Sequence, residues 1–185
     1  MVMNTFEQYN KKVVPEMQKA FGFKNALSVP RITKVSVNVG VGRIKDEKQL
    51  EEIRRILGLI TGQKVISRKA KKAIASFKTR IGMVIGYSVT LRGKRMYDFL
   101  DRFIHVTLPR TRDFRGISEK SFDTSGNLTI GIKEHIVFPE LVGEDVRSIF
   151  GFEVTITTTA RNRAYGIALL KGLGLPIQVA DTHKL

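Results

Sequence analysis

The chain has 185 residues, of which 42% are hydrophobic and 26% charged, and its 32 Lys and Arg against 17 Asp and Glu give a formal net charge of +15. This size predicts one globular domain, the lack of cysteine excludes disulfides and thiolate metal sites, and we expect neither a signal peptide nor a membrane span of about 18 apolar residues. Because so basic a surface repels itself, a polyanionic partner is the usual compensation, and nucleic acid is the expected one.

The first third of the chain predicts a helix, a strand and a second helix. Residues 4–21 carry apolar side chains at helical spacing, and Pro15 inside the pattern predicts a kink or two short helices. Residues 31–41 alternate strictly and predict a strand that buries one side, formed by Val35, Val37, Val39 and Val41. Asp46 then opens a helix with one apolar stripe, which Gly62 ends.

The middle third predicts two strands, at residues 63–67 and 83–92, with a basic segment between them. Its cations are Arg68, Lys69, Lys71, Lys72, Lys78 and Arg80. A solvated basic loop is the plain interpretation of such a run. Against it, a connection of about 15 residues exceeds the usual hairpin loop, no acid interrupts the cations, and small apolar residues would let the segment order against a partner. We therefore expect a loop that contacts nucleic acid.

The last third predicts a helix over residues 94–105, followed by a long loop to residue 126. Residues 127–133 and 152–159 alternate and predict two further strands. A final helix is expected from about Ala160 to Lys171, with Thr159 as its cap. The C-terminal tail shows no clear pattern.

The alternation also predicts the architecture. Parallel strands covered on both sides would show continuous apolar runs, whereas four strands here alternate strictly. We predict an α+β fold with a mostly antiparallel sheet, helices packed on one face and the other face open for RNA. Residues 1–185 would form a single RNA-binding domain with a basic loop at 67–83 and a short tail at 177–185.

The open face would carry small hydrogen-bonding groups, a few cations and no aromatic residue. Its predicted members are Lys34, Ser36, Asn38, Ser88, Thr90, Arg92, Thr129, Lys133, Thr155 and Thr157. Proteins that bind single strands stack bases on aromatic side chains, so this face suits a folded nucleic acid contacted through phosphates, 2′-hydroxyls and minor-groove edges. Threonine and serine are also ordinary residues of a solvated strand, and the net charge is what favours binding.

The sequence offers little for catalysis. The segment NVGVGRIK lacks the third glycine of a dinucleotide-binding loop, because Lys45 stands there. The three histidines, His105, His135 and His183, are far apart and lack metal-ligand spacing. The carboxylates near His135 could serve acid–base chemistry, but a turn with surface charges is the favoured interpretation. We expect no enzyme activity, no cofactor and no metal.

Several segments, in the same order, resemble bacterial large-subunit ribosomal proteins of the L-five family. They include VPRITKVSVNVGVG, ITGQKVISRKAKKAIASFKTRIGMVIGYSVTLRG, MYDFLDRFIHVTLPRTRDFRGIS and SFDTSGNLTIGIKEHIVFPE. The similarity runs from about Tyr9 to Pro176. It implies a structural constituent of the cytoplasmic ribosome, located in the central protuberance of the large subunit. The implied partners there are 5S rRNA, large-subunit rRNA and neighbouring ribosomal proteins, with no membrane association.

The resemblance implies three contact surfaces. The family's contacts in the 5S rRNA site fall on Asn38, Gln63 and Thr90. The predicted site adds Lys34, Ser36, Ser88 and Arg92 from the open face. The basic loop would reach the P-site tRNA through Arg68, Lys69, Lys71, Lys72, Lys78 and Arg80. A contact with a small-subunit head protein, bridging the subunits, would use Glu134, Glu140, Glu144 and Asp145. The alternative function is a non-ribosomal nucleic-acid chaperone or DNA-binding domain that uses the same basic region.

Overall fold

A five-stranded antiparallel sheet forms the centre of the fold, as the alternation predicted. The computed structural model describes residues 4–112, 114–144 and 148–178. The strands are β1 Ile32–Gly40, β2 Ile66–Lys69, β3 Val84–Leu91, β4 Ile117–Ser118, β5 Leu128–Ile132, β6 Phe152–Thr158 and β7 Ile177–Gln178. The order in the main sheet is β2-β3-β1-β6-β5, and every pair in it is antiparallel.

Among the described residues, four helical elements complete the predicted α+β fold. The N-terminal helix consists of Thr5–Gln8, a π-helical turn Tyr9–Val13 and Val14–Phe21, and the second helix is Glu47–Thr61. The central helix consists of Gly93–Arg102, a π-helical turn Phe103–Thr107 and Leu108–Arg110. The C-terminal helix is Arg163–Gly172. Short 3-10 turns lie at Ala26–Ser28, Ala75–Phe77, Glu119–Ser121, His135–Val137 and Pro139–Leu141. None of the described helices is long and apolar enough to cross a membrane.

Both helices that contain a proline widen into a π-helical turn just before it. In the N-terminal helix the Val14 N–H bonds to the Tyr9 carbonyl. A proline has no N–H and its ring clashes with the carbonyl four residues earlier, so the wider turn lets the chain pass Pro15 and Pro109 without a break. At Pro15, where the sequence predicted a kink or two short helices, the structure has this π-helical turn between two α-helical segments. The central helix continues to Arg110, where the sequence predicted a loop.

The core lies between the sheet and the helices. Val35 and Val37 of β1 are fully buried, and the aromatic rings of Phe99, Phe103 and Phe138 stack with centroids 5.8 to 6.4 Å apart. Because the helices cover this side of β1, its alternate side chains point away from them.

Two terminal features differ from the sequence predictions. The C-terminal helix begins three residues later than expected, because Asn162 accepts the Tyr165 N–H at 2.9 Å and caps it. Thr159 instead accepts the Arg31 N–H at 3.0 Å and ties β1 to the end of β6. Ile177 of the tail pairs in parallel with Ile117, which lies within the predicted long loop.

The predicted turn is present at His135–Val137, but His135 itself belongs to the core and does not lie on the surface of that turn. Its side chain is fully buried, and its ring stacks on Phe150 with centroids 4.0 Å apart. The Phe150 N and the Phe150 carbonyl oxygen lie 3.2 and 3.3 Å from His135 Nδ1, so the Phe150 backbone holds this ring nitrogen in place. Burial lowers the pKa of His135 below its ordinary 6.5.

We predict that stability falls as the pH drops below the ordinary histidine pKa. Since the folded pKa of His135 is depressed, the stability it contributes is present above the unfolded pKa and is lost as pH falls through the folded pKa. Urea unfolding at about pH 7.5 and 5.5 should show a smaller pH dependence for His135→Gln than for the wild type. Asn10→Ala, at an exposed and non-titrating side chain, should keep the wild-type dependence, and equal dependence in wild type and His135→Gln would contradict the prediction.

Candidate nucleic-acid interface

One row of side chains across the open face centres on Asn38. Its strand partners are Ser88 of β3 and Glu153 of β6, and the row continues to Ile66 of β2 and Gly131 of β5. Directly paired residues of antiparallel strands point to the same face, so these residues lie side by side at a strand spacing of about 4.8 Å. Asn38 is exposed and Ser88 half-buried, as predicted for an open face.

A second row consists of hydroxyl side chains. Ser36 pairs with Thr90 on one side and Thr155 on the other, and the Thr155 and Thr129 hydroxyls lie 3.3 Å apart. In the next row Lys34 pairs with Thr157, after a bulge in β1. None of the open-face positions in the described strands carries an aromatic ring. The two rows thus form a largely polar surface, which we call the grid.

Gln63 and Arg68 are held against the edge of the grid by hydrogen bonds. Gln63 Nε2 donates to the Thr90 carbonyl at 3.0 Å, which brings two predicted contact residues together. Arg68 Nε donates to Ser88 Oγ at 2.7 Å, leaving its other guanidinium N–H groups for a ligand. Arg68 was assigned to the basic loop, but it lies in β2 on the grid side, opposite Gly86.

The remaining predicted cations lie at the margins of the grid. Arg92 follows β3, is exposed and occupies the N-cap position of the central helix. Lys34 is half-buried in β1, and Lys133 is exposed just beyond β5. Cations at the margin, with hydrogen-bonding groups and one acid in the middle, match an RNA that is held by its phosphates at the margin and contacted by its grooves at the centre.

Sequence reasoning missed two residues of the grid. Glu153 and Ile66 are both exposed and both belong to the row of Asn38. The signal for Glu153 was present, because it alternates with Thr155 and Thr157 in the same strand. Ile66 lies in a four-residue strand, which is too short for alternation to assign a face.

Residues 70–83 extend the β2–β3 hairpin as a basic tip. The Ala70 N–H bonds to the Met83 carbonyl at 2.8 Å, and Ile74 and Thr79 form an antiparallel bridge across the tip. A 3-10 turn at Ala75–Phe77 closes it, and the remaining four predicted cations of the tip are exposed: Lys71, Lys72, Lys78 and Arg80. Lys69 ends β2 at the base of the tip and is also exposed.

The acid-rich segment after β5 is largely engaged within the chain. Glu140 Oε1 lies 2.5 Å from Arg102 Nε, and Glu144 Oε2 lies 2.7 Å from Arg55 Nη1. Glu134 is half-buried, and Asp145 lies outside the described residues. Glu140 and Glu144 therefore each face an arginine of a neighbouring helix, and Glu144 remains exposed.

The described residues contain no group of three His, Asp or Glu side chains that could hold a metal ion. His135, the histidine nearest to the acidic residues, is sealed in the core. The exposed side chains of the grid and the tip include amide, hydroxyl and cationic groups, which can form hydrogen bonds and ion pairs.

Comparison with known proteins gives a consistent family. Residues 25–80 match a family described as ribosomal protein L5, and residues 84–177 match the C-terminal part of the same ribosomal protein family. The chain is 50% identical to large ribosomal subunit protein uL5 of Mycoplasma pneumoniae over 94% of its own length and 97% of the relative. It is 52% identical to uL5 of Ralstonia pickettii over 93% and 96%, and 49% identical to uL5 of Chloroflexus aurantiacus over 96% and 99%.

Proposed function

The chain belongs to the ribosomal protein L5 family, and on that premise we propose that the grid binds 5S rRNA in the central protuberance of the large ribosomal subunit. As a family member the chain is a structural, non-enzymatic, rRNA-binding constituent of that subunit. The observation that carries the proposal is the pairing of Asn38 with Ser88 and of Ser36 with Thr90 on a face that the helices leave open.

The groups on the grid suit the minor groove of a folded RNA. An A-form minor groove is wide and shallow and displays 2′-hydroxyls and base edges. Asn38 offers a donor and an acceptor, and the hydroxyls of the second row can act as either. Arg68, Arg92 and Lys34 surround these groups with positive charge, which would position the phosphates on both sides of the groove.

The basic tip is proposed as a separate contact to the P-site tRNA. Its four exposed cations project beyond the sheet on a hairpin whose backbone is already hydrogen-bonded. Phe77 and Ile81 are 72% and 73% exposed there. A tip that combines cations with exposed apolar side chains is suited to a second nucleic acid, because it can bind phosphates and pack on bases together.

The third proposed contact, to a small-subunit head protein, uses the segment after β5. With Glu140 and Glu144 bound to arginines, its exposed surface includes the apolar side chains of Ile136, Val142 and Ile149, which are 41%, 73% and 63% exposed. We propose that these side chains, with Glu134 at the margin, meet the partner, and that contacts with large-subunit rRNA and neighbouring proteins use the remaining basic surface.

Sedimentation distinguishes the proposed ribosomal function from the alternative. The alternative is a nucleic-acid chaperone or DNA-binding domain that acts outside the ribosome. The chain should travel with large subunits through a sucrose gradient. A chain found mainly in the ribosome-free fractions would favour the alternative.

We predict that Asn38→Ala and Thr90→Ala each weaken binding of 5S rRNA by about 1–3 kcal/mol, since RNA groups buried at the interface would lose hydrogen-bond partners. Filter binding at fixed salt measures this directly. Asn10→Ala on the N-terminal helix is the matched control and should bind like the wild type. Unchanged affinity in both grid variants would remove the proposed site.

We predict that replacing Lys69, Lys71 and Lys72 together by Gln leaves the affinity for isolated 5S rRNA within about twofold. The same variant should speed dissociation of P-site tRNA from ribosomes that carry it, because each lost phosphate contact weakens an electrostatic interaction. The two measurements are a 5S rRNA titration and a tRNA release rate.

The control for this prediction removes the same charge elsewhere. Lys12, Lys19 and Lys24 are exposed on or near the N-terminal helix, and their joint replacement by Gln should leave tRNA release unchanged. Loss of 5S rRNA binding in the tip variant would show that the grid and the tip do not serve separate RNAs.

A further inference from the structure

Glu153 is an acidic side chain in the middle of the face proposed to bind RNA. It is exposed on β6, with Asn38 as its partner on β1 and Gly131 on β5. Among the open-face positions of the described strands it is the one acid. A carboxylate repels a phosphate. The position of Glu153 therefore indicates that the RNA group opposite it is not a backbone phosphate.

The surroundings of Glu153 leave its carboxylate open to a ligand. Glu153 Oε1 accepts a hydrogen bond from the Thr155 hydroxyl at 3.3 Å, and a carboxylate has about four acceptor positions. At Gly131 a side chain is absent, and the place where a Cβ would stand has no atom within 4 Å. A ligand group can therefore approach the carboxylate from the β5 side.

We propose that Glu153 accepts a hydrogen bond from a donor in the RNA minor groove, either a guanine 2-amino group or a ribose 2′-hydroxyl. This inference rests on the proposed function of the grid. These are the donors that an A-form minor groove presents, whereas phosphates offer acceptors. Asn38 beside Glu153 can donate as well as accept, so the row matches an RNA edge on which donors and acceptors lie next to each other.

The same carboxylate restricts where the RNA binds. If the RNA moved along the grid until a phosphate faced Glu153, the two negative charges would repel each other. This shifted position of the RNA would therefore be disfavoured. Glu153 thus lowers general affinity for nucleic acid and raises selectivity for one docking position. A grid without Glu153 would bind RNA by charge with less discrimination.

The first test measures the affinity of Glu153→Ala, in the full chain, for two RNAs. Affinity for 5S rRNA should fall about tenfold or more in Glu153→Ala, as for loss of a hydrogen bond to a charged group, while affinity for a generic RNA duplex should stay level or rise. Glu16→Ala, at an exposed acid of the N-terminal helix, should change neither. Equal or tighter binding of 5S rRNA by Glu153→Ala overturns the inference.

The second test identifies the donor. Nucleotides of 5S rRNA that the wild-type chain protects from hydroxyl radicals are replaced one at a time, by inosine at guanosines to remove the 2-amino group and by the 2′-deoxynucleotide to remove the hydroxyl. A substitution that weakens the wild type but not Glu153→Ala identifies the amino group or the hydroxyl as the partner. Additive effects at every protected nucleotide overturn the inference.

Asn38→Ala separates this inference from the proposed function. If Asn38→Ala weakens binding of 5S rRNA and Glu153→Ala does not, the grid is the binding site and the role of Glu153 is wrong. If the wild-type chain does not bind 5S rRNA, both proposals fail together. Thermal unfolding of each variant checks that the exposed substitutions leave the fold intact.

Discussion

The two-sided character of β1 is the constraint on which the rest of the structure depends. Val35, Val37 and Val39 are at most 1% exposed, and burying a side chain of this kind contributes about 1.5–3 kcal/mol. A slip of one residue in the pairing of β1 would turn all of them outward. The same energy that seals the core therefore holds Ser36 and Asn38 on the open face.

The central position of β1 extends this constraint to the whole grid. Because β1 pairs with both β3 and β6, its register sets which residues of those strands share its open side. Ser88 and Glu153 lie beside Asn38 for this reason, although they are far apart in sequence. Each row of the grid is thus a consequence of core packing, and the chemistry of the surface depends on which polar residues occupy fixed positions.

Local patterns predicted the parts of the fold in which one segment carries enough information. The alternation of residues 31–41 and the caps at Asp46 and Gly62 could be read directly, since strand period and cap chemistry are local. The pairing of Ile117 with Ile177 could not, because a two-residue strand has no period. The engagement of Glu140 by Arg102 joins residues that are distant in sequence, and the acid-rich pattern gave no indication of it. Glu153 alternates with Thr155 and Thr157 in one strand, so the local pattern places it on the open face as well.

The placement of Arg68 connects the two proposed RNA contacts. Arg68 lies on the grid, where it bonds to Ser88, and the next residue of β2, Lys69, leads into the basic tip. β2 is an edge strand, paired within the sheet to β3 alone, so an RNA bound on the grid would add contacts to the less supported side of the hairpin. Contacts made at Arg68 would restrain β2 against β3 and, through the Ala70–Met83 hydrogen bond, the base of the tip as well. An RNA bound to the grid would in this way orient the cations of the basic tip toward the tRNA, because β2 belongs to the grid and leads directly into the tip.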